Sequence, residues 1–202
     1  MSIEKRRLQE KEHMKNLILN ASIKIINEHG YDHLSMRKIG ELIQYSPTTI
    51  YLYYKNKAQI AEDIGLRIFG KILTDITGVL SQHENLSITQ KLQYSFKQFL
   101  LSMTSNPEMG IAFIRSGSNA MFKSKSAQSG GGNLLQSLLI EGCSGGVLKE
   151  LNPNTSWMIL TALIGFGMNA IENQLYLSDN WEEFIDIFVE ILMHGIVKED
   201  EK

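Results

Sequence analysis

The twelve residues from Ser46 to Lys57 read SPTTIYLYYKNK and concentrate hydroxyl and phenol groups in a short stretch. Such groups form hydrogen bonds with DNA base edges and phosphate oxygens, and the methyl groups of threonine and proline can contact the C5-methyl group of thymine. Lys55 and Lys57 add positive charge within reach of a phosphate backbone. These residue types favour a surface that contacts nucleic acid.

Ser46 and Pro47 together predict the start of a helix. The serine hydroxyl can accept a hydrogen bond from a backbone N–H of the first turn, and proline at the first helical position has no N–H to leave unpaired. A preceding helix is expected at residues 36–43, capped by Ser35, with residues 44–45 as the turn between the two. Two short helices joined by a tight turn are the layout of a helix-turn-helix, whose second helix enters the major groove of DNA.

The first turn of this second helix is expected to be exposed, with Ser46 and Pro47 followed by Thr48 and Thr49. A recognition helix reads bases mainly with its N-terminal residues, so these four positions are candidates for base contacts. Leu52 is expected to be exposed on the same helix and to contact a thymine methyl group.

The tyrosines that follow leave two interpretations open. Tyr51 and Tyr53 are two residues apart, so one helical face cannot hold both, and at least one phenol must point to solvent or to a ligand. In the alternative, Tyr51 and Tyr54 are ordinary core aromatic residues and the threonines are only solvated. We accept that alternative for Tyr54 and Ile50, because so short a helix must bury part of its surface.

Charge is distributed unevenly along the chain. The net charge is −2, but residues 1–60 hold ten Lys or Arg against six acidic residues, and the rest of the chain is acidic overall. A basic first quarter is consistent with an end that meets phosphate.

Composition limits the classes of protein. With 202 residues, 43% of them hydrophobic, the chain can bury a core without disulfides. A single cysteine excludes an internal disulfide, and the N-terminal residues show no apolar stretch typical of a secretory signal. No apolar segment approaches the ~20 residues of a membrane-spanning helix. We therefore expect a cytoplasmic protein without a membrane partner.

Apolar residues at three- and four-residue steps predict helices along the whole chain, and no segment shows the sustained alternation of a strand. The expected helices are residues 14–29, 36–43, 47–55, 58–80, 88–105, a helix from 107 onward, 134–140, 153–177 and 181–197. Residues 117–132 are expected to be a loop around weak helical turns, and the GCSGG segment at 142–146 a second loop. The predicted fold class is all-α, with about nine helices.

Residues 14–60 resemble the N-terminal signature of the TetR family of bacterial transcriptional regulators. The segment ILNASIKIINEHGYDHLSMRKIGELI carries an alanine-containing first helix, a Gly-Tyr pair and a serine-capped second helix. SPTTIYLYYKNK matches the third-helix pattern S-x-x-T-[LI]-Y-x-Y-[FY]-x-x-K. One turn departs from the pattern, with Gln44 where glycine is usual and Tyr45 where a small aliphatic residue is common. Gln44 is therefore expected to reach left-handed geometry only with some strain.

The resemblance implies a DNA-binding domain at residues 1–56 and an effector-binding and dimerisation domain at residues 57–202. By position, Ser35 and Arg37 are expected to contact phosphates, and Tyr53 and Lys57 to hold the DNA backbone. The residues expected in or beside the groove are Ser46, Pro47, Thr48, Thr49, Tyr51 and Leu52. The implied function is a homodimeric regulator, favoured as a repressor, that binds a palindromic operator and releases it when an apolar small molecule enters the body.

Residues of the body can be suggested only from residue type. Small residues on the helix after Asn154 permit a neighbouring helix to approach closely, and with the last helix they could form half of a two-fold interface. The suggested interface residues are Thr161, Gly165, Trp181, Phe184 and Phe188. Alternatively, this stripe packs only inside its own subunit. The suggested effector residues are Phe69, Phe99, Met103, Phe113, Met121, Phe122 and Trp157, although such residues at helical spacing are more often ordinary core.

No catalytic or metal-binding set emerges. His29 and His33 have a zinc-compatible spacing, but Gly30 ends the helix between them. Cys143 has no obvious His or acidic partner, so we expect an inert thiol. We expect no enzyme activity, no cofactor and no metal. The alternative function is a helical small-molecule carrier or enzyme with an incidental basic head, which salt dependence separates from DNA binding.

Overall fold

The computed structural model of the protein describes residues 3–83, 85–115 and 131–198, without the side chains of residues 3, 113–115 and 131–133. Within these ranges the chain is all-α, with nine α-helices, two short 3₁₀-helices and no strand. The predicted fold class is confirmed. No helix in the same ranges combines the length and apolar character that crossing a membrane requires.

The helices are labelled here in chain order. The first are α1 (Ile3–His29), a 3₁₀-helix (Tyr31–His33), α2 (Met36–Ile43), α3 (Pro47–Tyr51) and α4 (Lys57–Gln82). The others are α5 (Ile88–Thr104), α6 (Pro107–Arg115), α7 (Gly131–Ser144), α8 (Thr155–Glu172), a 3₁₀-helix (Leu175–Leu177) and α9 (Trp181–Ile196). The chain forms two compact units, Met1–Arg67 with Glu108–Asn119, and Ile68–Pro107 with Ala120–Lys202. Helix α4 therefore contributes residues to both units.

The first unit has a core built on α1. Its buried apolar residues recur at helical spacing, and their burial is worth about 1.5–3 kcal/mol for each large side chain. They are Ile18, Leu19, Ala21, Ile25 and Ile26. Ser22 lies among them and satisfies its hydroxyl by donating to the carbonyl of Ile18 at 2.7 Å. Gly30, with φ +79°, ends α1 where the sequence predicts.

A polar network joins α1, the chain after α3, and α4. The Tyr54 hydroxyl donates to Asp63 Oδ2 at 2.8 Å, and Lys15 Nζ lies 3.8 Å from the same oxygen. Lys15 Nζ also lies 5.5 Å from the centroid of the Tyr54 ring. Burial, together with the bond to Asp63, raises the pKa of Tyr54. The phenol therefore remains a neutral donor that holds the exit of α3 against two longer helices.

The second unit has a separate core in which aromatic rings join three helices. Phe166 of α8 stacks on Phe188 of α9, with ring centroids 4.2 Å apart, and on Trp181, with centroids 5.6 Å apart. The Trp181 indole N–H donates to Thr104 Oγ1 of α5 at 3.3 Å. This bond satisfies a buried polar group while the ring contributes apolar area to the core.

Two predicted helix boundaries in the first unit are wrong. Helix α1 begins at Ile3 and not at residue 14. Its first turns carry exposed charged residues, so the sequence has no apolar stripe there from which the helix could be predicted. Arg6 and Glu10 form an i,i+4 pair at 2.9 Å there. Helix α3 ends at Tyr51 and not at residue 55. Its last turn tightens, with the Leu52 N–H bonded to the Thr49 carbonyl at 3.2 Å.

Boundaries in the second unit also differ from the prediction. Helix α7 continues through Gly142 and Cys143, where a loop is expected from the sequence. Because Gly142 has no side chain, Leu148 packs against the helix at this point, and a Cβ on Gly142 would lie 2.5 Å from Leu148 Cδ1. Helix α8 starts at Thr155, since Asn152 Oδ1 accepts from the N–H of Asn154 at 2.9 Å and forms a turn first.

The C-terminal boundaries shift as well. Helix α8 stops at Glu172, well before residue 177, and Gln174 then adopts φ +57°. The N-cap of α9 is Asn180, whose side chain makes no cap hydrogen bond. Residues 117–130 of the predicted loop lie outside the described residues.

The turn between α2 and α3 has the left-handed geometry expected of Gln44, with φ 61° and ψ 38°. The N–H groups of Gln44 and Tyr45 both donate to the Gly40 carbonyl, the second at 2.9 Å. These bonds satisfy a terminal carbonyl of α2.

Gly40 allows this turn to close against α2. A Cβ on Gly40 would lie 2.5 Å from the Tyr45 carbonyl oxygen and 3.4 Å from the Pro47 nitrogen. Both contacts are with backbone, so a neighbouring side chain cannot relieve them by moving. Nothing in the spacing of the neighbouring residue types identifies Gly40 from the sequence.

We predict that Gly40→Ala lowers the free energy of unfolding by about 2 kcal/mol or more, because the added methyl group forces the turn away from α2. Gly78→Ala is the matched control, since a Cβ there meets no atom within 4 Å and alanine favours a helix interior by up to ~1 kcal/mol. Urea unfolding followed by circular dichroism measures both. Equal stabilities for the Gly40→Ala variant and the wild type would contradict the close approach.

Candidate nucleic-acid interface

Helix α3 begins on a cap made by two hydroxyl groups. Ser46 has an extended backbone and accepts a hydrogen bond from the Thr49 N–H at 3.1 Å, and the two side-chain oxygens lie 2.9 Å apart. Pro47 takes the first helical position. The start of this helix therefore has the structure that its sequence predicts, with the Thr49 hydroxyl already engaged in the cap.

The two sides of α3 differ sharply in exposure. Ile50 is fully buried and Tyr54, just after the helix, is 1% exposed. Tyr51 and Leu52 are 56% and 78% exposed. Tyr53 is partly buried. The structure thus separates the tyrosines: Tyr54 belongs to the core and Tyr51 does not.

Residues 44–48 form one continuous exposed run that leads into α3. Ser46, Pro47 and Thr48 therefore lie together at the exposed end of the helix, next to the partly buried Thr49. A protruding first turn with free hydroxyl and methyl groups can enter a DNA groove and contact base edges.

Ser35 and Arg37, the two residues at the start of α2 that are expected to contact phosphates, both make contacts inside the protein. Ser35 caps α2 by accepting from the Lys38 N–H at 3.2 Å. Arg37 Nε lies 2.9 Å from Glu41 Oε1 in an exposed i,i+4 pair. Pairs of this kind contribute only about 0.3–0.5 kcal/mol, so Arg37 can exchange the carboxylate for another anion.

Lys57, at the start of α4, faces the loop after α1. Its Nζ lies 4.6 Å from the centroid of the Tyr31 ring, and 3.4 and 3.5 Å from the carbonyl oxygens of Tyr31 and Asp32. Burial and the neighbouring Asp32 carboxylate raise the pKa of Tyr31. Lys57 thus has an internal positioning contact that its sequence position does not indicate.

The residues suggested for an effector site are only partly brought together. Phe69 and Phe99 pack edge to face with centroids 5.9 Å apart, and both are buried in the second unit. Met103 packs against Gly167, where an added Cβ would lie 2.6 Å from its Sδ. Trp157 is 58% exposed and lies apart from these buried rings. Met121, Phe122 and the side chain of Phe113 lie outside the described residues.

A small apolar cavity of about 40 Å³ lies in the second unit. Its lining comes from α4, α5, α7 and α8, and consists of Leu73, Ile76, Ser95, Phe96, Phe99, Leu134, Leu135, Leu138, Leu160 and Leu163. The hydroxyl of Ser95 donates to the Lys91 carbonyl at 2.7 Å, so it is already satisfied. Sequence reasoning named only Phe99 of this set, because leucines at helical spacing do not distinguish a cavity wall from a filled core.

The suggested interface residues fall on different surfaces. Thr161, whose hydroxyl donates to the Trp157 carbonyl at 2.8 Å, is partly buried, and Gly165 and Phe184 are exposed. Phe188 is partly buried in its stack with Phe166. Trp181 is 7% exposed and belongs to the core of its own subunit. Further exposed apolar residues lie on the same two helices: Trp157, Met158, Ile187 and Ile191.

Other candidate sites have weaker support. The rings of His29 and His33 lie 6.4 Å apart, and the described residues contain no group of three His, Cys, Asp or Glu side chains placed to hold a metal ion. Cys143 is partly buried and its thiol donates to the Lys149 carbonyl at 3.2 Å.

The chain is similar in sequence to known regulators. Residues 18–64 match the family of bacterial regulatory proteins of the tetR family. The chain is 27% identical to the fatty acid metabolism regulator protein of Bacillus subtilis (strain 168) over 139 residues. The aligned region covers 66% of this chain and 70% of that protein.

The fold is similar to solved structures along most of the chain. The fatty acid degradation regulator FadR from Bacillus halodurans has a TM-score of 0.68 and 22% identity, covering 89% of this chain and 98% of that one. The regulator FadR from Bacillus subtilis in complex with stearoyl-CoA also has a TM-score of 0.68, with 20% identity, covering 89% of this chain and 97% of that one.

The matched residues 18–64 contain the capped and exposed helix, the turn before it and the buried residues that support it. The remaining helices follow the fold of regulators from the same family. The N-terminal part of the chain is therefore that of the TetR family of bacterial transcriptional regulators, and α3 lies in this DNA-binding domain.

Proposed function

We propose that the protein is a ligand-responsive repressor that binds a palindromic operator as a homodimer and releases it when an acyl-chain compound enters the second unit. The observation that carries the DNA-binding part is the exposure of α3. A five-residue helix with its first turn and Leu52 exposed buries only the residues needed to hold it. Such a helix serves a partner surface rather than the core.

In this proposal the protruding end of α3 enters the major groove. Pro47, Thr48 and Leu52 contact base edges and thymine methyl groups, and Tyr51 lies beside them. Tyr53 and Ser35 bond phosphates, while Arg37 and Lys57 exchange their weak internal contacts for phosphate oxygens. The proposed domain division places residues 1–56 at the DNA and residues 57–202 in dimerisation and effector binding.

The homodimer is supported by an exposed apolar stripe on α8 and α9. Trp157, Phe184, Ile187 and Ile191 are all more than one-third exposed. An added Cβ at Gly165 would meet no atom within 4 Å, so this glycine has no packing role inside the subunit. A self-complementary apolar surface on two helices fits a two-fold interface, which would pair two recognition helices about 34 Å apart, one turn of DNA.

An acyl chain is the proposed effector because the cavity wall is almost entirely aliphatic and aromatic. The FadR structure from Bacillus subtilis contains stearoyl-CoA, and the regulator that is 27% identical to this chain is named for fatty acid metabolism. A cavity of about 40 Å³ is much smaller than the roughly 300–1,000 Å³ of a ligand pocket. Binding of such a chain therefore requires the lining helices to move.

Helix α4 provides a route from that movement to DNA release. It is continuous from Lys57 to Gln82, and Leu73 and Ile76 near its end line the cavity. A ligand that favours a displaced α4 shifts the population toward a form in which the first residues of the helix no longer support α3. In this way the effector and the operator favour different conformations.

We predict that the protein binds DNA from upstream of its own reading frame, and that affinity falls roughly a thousandfold between 50 and 200 mM salt if the dimer contacts about six phosphates. Leu52→Ala should weaken binding about tenfold through the lost methyl contact. The control is Leu177→Ala, also a large exposed residue but outside the first unit. Gel shifts and anisotropy titrations measure both. Salt-independent binding would instead favour the carrier or enzyme function.

We predict that stearoyl-CoA weakens operator binding at least tenfold, whereas coenzyme A without an acyl chain has no effect. Leu73→Trp fills the partly buried edge of the cavity and should abolish this response while leaving operator affinity intact. Leu80→Trp, on the same helix but outside the cavity lining, is the control. A response of the same size in all three proteins, or an equal effect of coenzyme A, would contradict the proposed site.

We predict that Ile191→Glu converts the dimer into a monomer, because two-fold symmetry places the buried charge at the interface twice. Ile140→Glu is the matched control, as Ile140 is similarly exposed on α7, away from the stripe. Size-exclusion chromatography with light scattering gives the oligomeric state. A dimer that tolerates Ile191→Glu would place the interface on another surface.

A further inference from the structure

Tyr45, in the turn before α3, has a phenol that makes no hydrogen bond to any residue that the structure describes. Its side chain is 43% exposed. The two residues that hold up α3 from inside, Ile50 and Tyr54, are both buried. Replacing an aliphatic residue by tyrosine at an exposed turn adds a hydroxyl donor and an aromatic ring without adding core.

The backbone beneath Tyr45 is held more firmly than that of most loop residues. Its N–H donates to the Gly40 carbonyl at 2.9 Å, and its own carbonyl oxygen packs directly over the Cα of Gly40. On one side Gln44 is fixed in left-handed geometry, and on the other Ser46 is the N-cap of α3. The backbone of Tyr45 is therefore fixed, so less conformational entropy is lost when its hydroxyl forms a hydrogen bond with a partner.

The position of Tyr45 also restricts what that partner is. It belongs to the exposed run 44–48, and its Cα lies about 3.8 Å from that of Ser46, the first residue of the protruding turn. When the turn enters a groove, the residue just before the N-cap lies at the edge of that groove, where the sugar-phosphate backbone passes. Tyrosine hydroxyls are among the groups that bond phosphate oxygens in protein–DNA complexes.

We propose that Tyr45 donates a hydrogen bond from its phenol to a phosphate oxygen at the edge of the major groove, and so fixes the register of α3 on the operator. This inference rests on the proposed DNA-binding function. The contact is neutral on the protein side and sequence-independent on the DNA side. It therefore has a signature different from both a lysine–phosphate pair and a base contact.

The test uses full-length protein and a duplex that the wild type itself selects from a random-sequence pool. Tyr45→Phe keeps the ring and removes only the hydroxyl, and it should weaken binding about tenfold. The loss should be equal for the selected duplex and for single-base variants of it. The salt slope should remain that of the wild type because no cation is removed, whereas Arg37→Ala should reduce the slope by about one.

Tyr176→Phe is the matched control, since Tyr176 lies in the second unit and is also only partly exposed. It should bind like the wild type. Thermal unfolding of Tyr45→Phe should match the wild type, because the hydroxyl has no bond inside the described fold.

The outcomes distinguish a failure of the Tyr45 contact from a failure of the proposed DNA-binding function. If the wild type selects no common sequence, the proposed DNA-binding function fails. If the wild type selects a sequence and Tyr45→Phe binds it within twofold, the Tyr45 contact is refuted while the function stands. If Tyr45→Phe changes the preferred base at one position, the phenol reads a base and the phosphate assignment is overturned.

Discussion

A helix of five residues cannot hold itself in place, because it has almost no internal i→i−4 hydrogen bonds to offset the entropy of ordering its backbone. Helix α3 therefore depends on its surroundings at every point. The cap from Ser46 and Thr49 closes one end, and Ile50 and Tyr54 anchor the inner side. The contact of the turn with Gly40 sets how closely α3 lies to α2. The position of the proposed DNA-reading surface thus depends on residues that lie mostly outside the helix.

This dependence explains how the residues of α3 are divided between two tasks. Burying Ile50 and Tyr54 stabilises the domain, whereas Tyr51 and Leu52 stay exposed and are available to the proposed DNA partner. The bond from Tyr54 to Asp63 lies at the boundary between these tasks. It ties the end of this segment to α4, which is also one of the four helices that line the apolar cavity.

The sequence predicts most of the DNA-binding domain because its signals there are local. A serine before a proline, a glycine after a periodic helix and a serine before Met36 each act within a turn of their own position, and all three boundaries agree with the structure. Gly40 and the internal contacts of Lys57 carry no local signal, because the atoms they meet belong to residues elsewhere in the chain. The close approach at Gly40 depends on the carbonyl of Tyr45, and the inward turn of Lys57 on a loop 25 residues away. Helix α1 was underestimated for another reason: its exposed charged turns carry no apolar period.

The glycines of the second unit show why its function is harder to derive from sequence. Gly142 and Gly167 are filled by side chains of their own subunit, from Leu148 and Met103, whereas Gly165 faces open space. In the sequence all three are the same signal, a small residue in a helix. Only packing distinguishes a glycine that makes room for its own core from one that leaves room for something else. Glycine in a helix interior lowers helix stability by up to ~1 kcal/mol relative to alanine. At an open position such as Gly165, no contact inside the subunit offsets that cost. In the proposed homodimer, the close approach of a helix from a second copy offsets that cost.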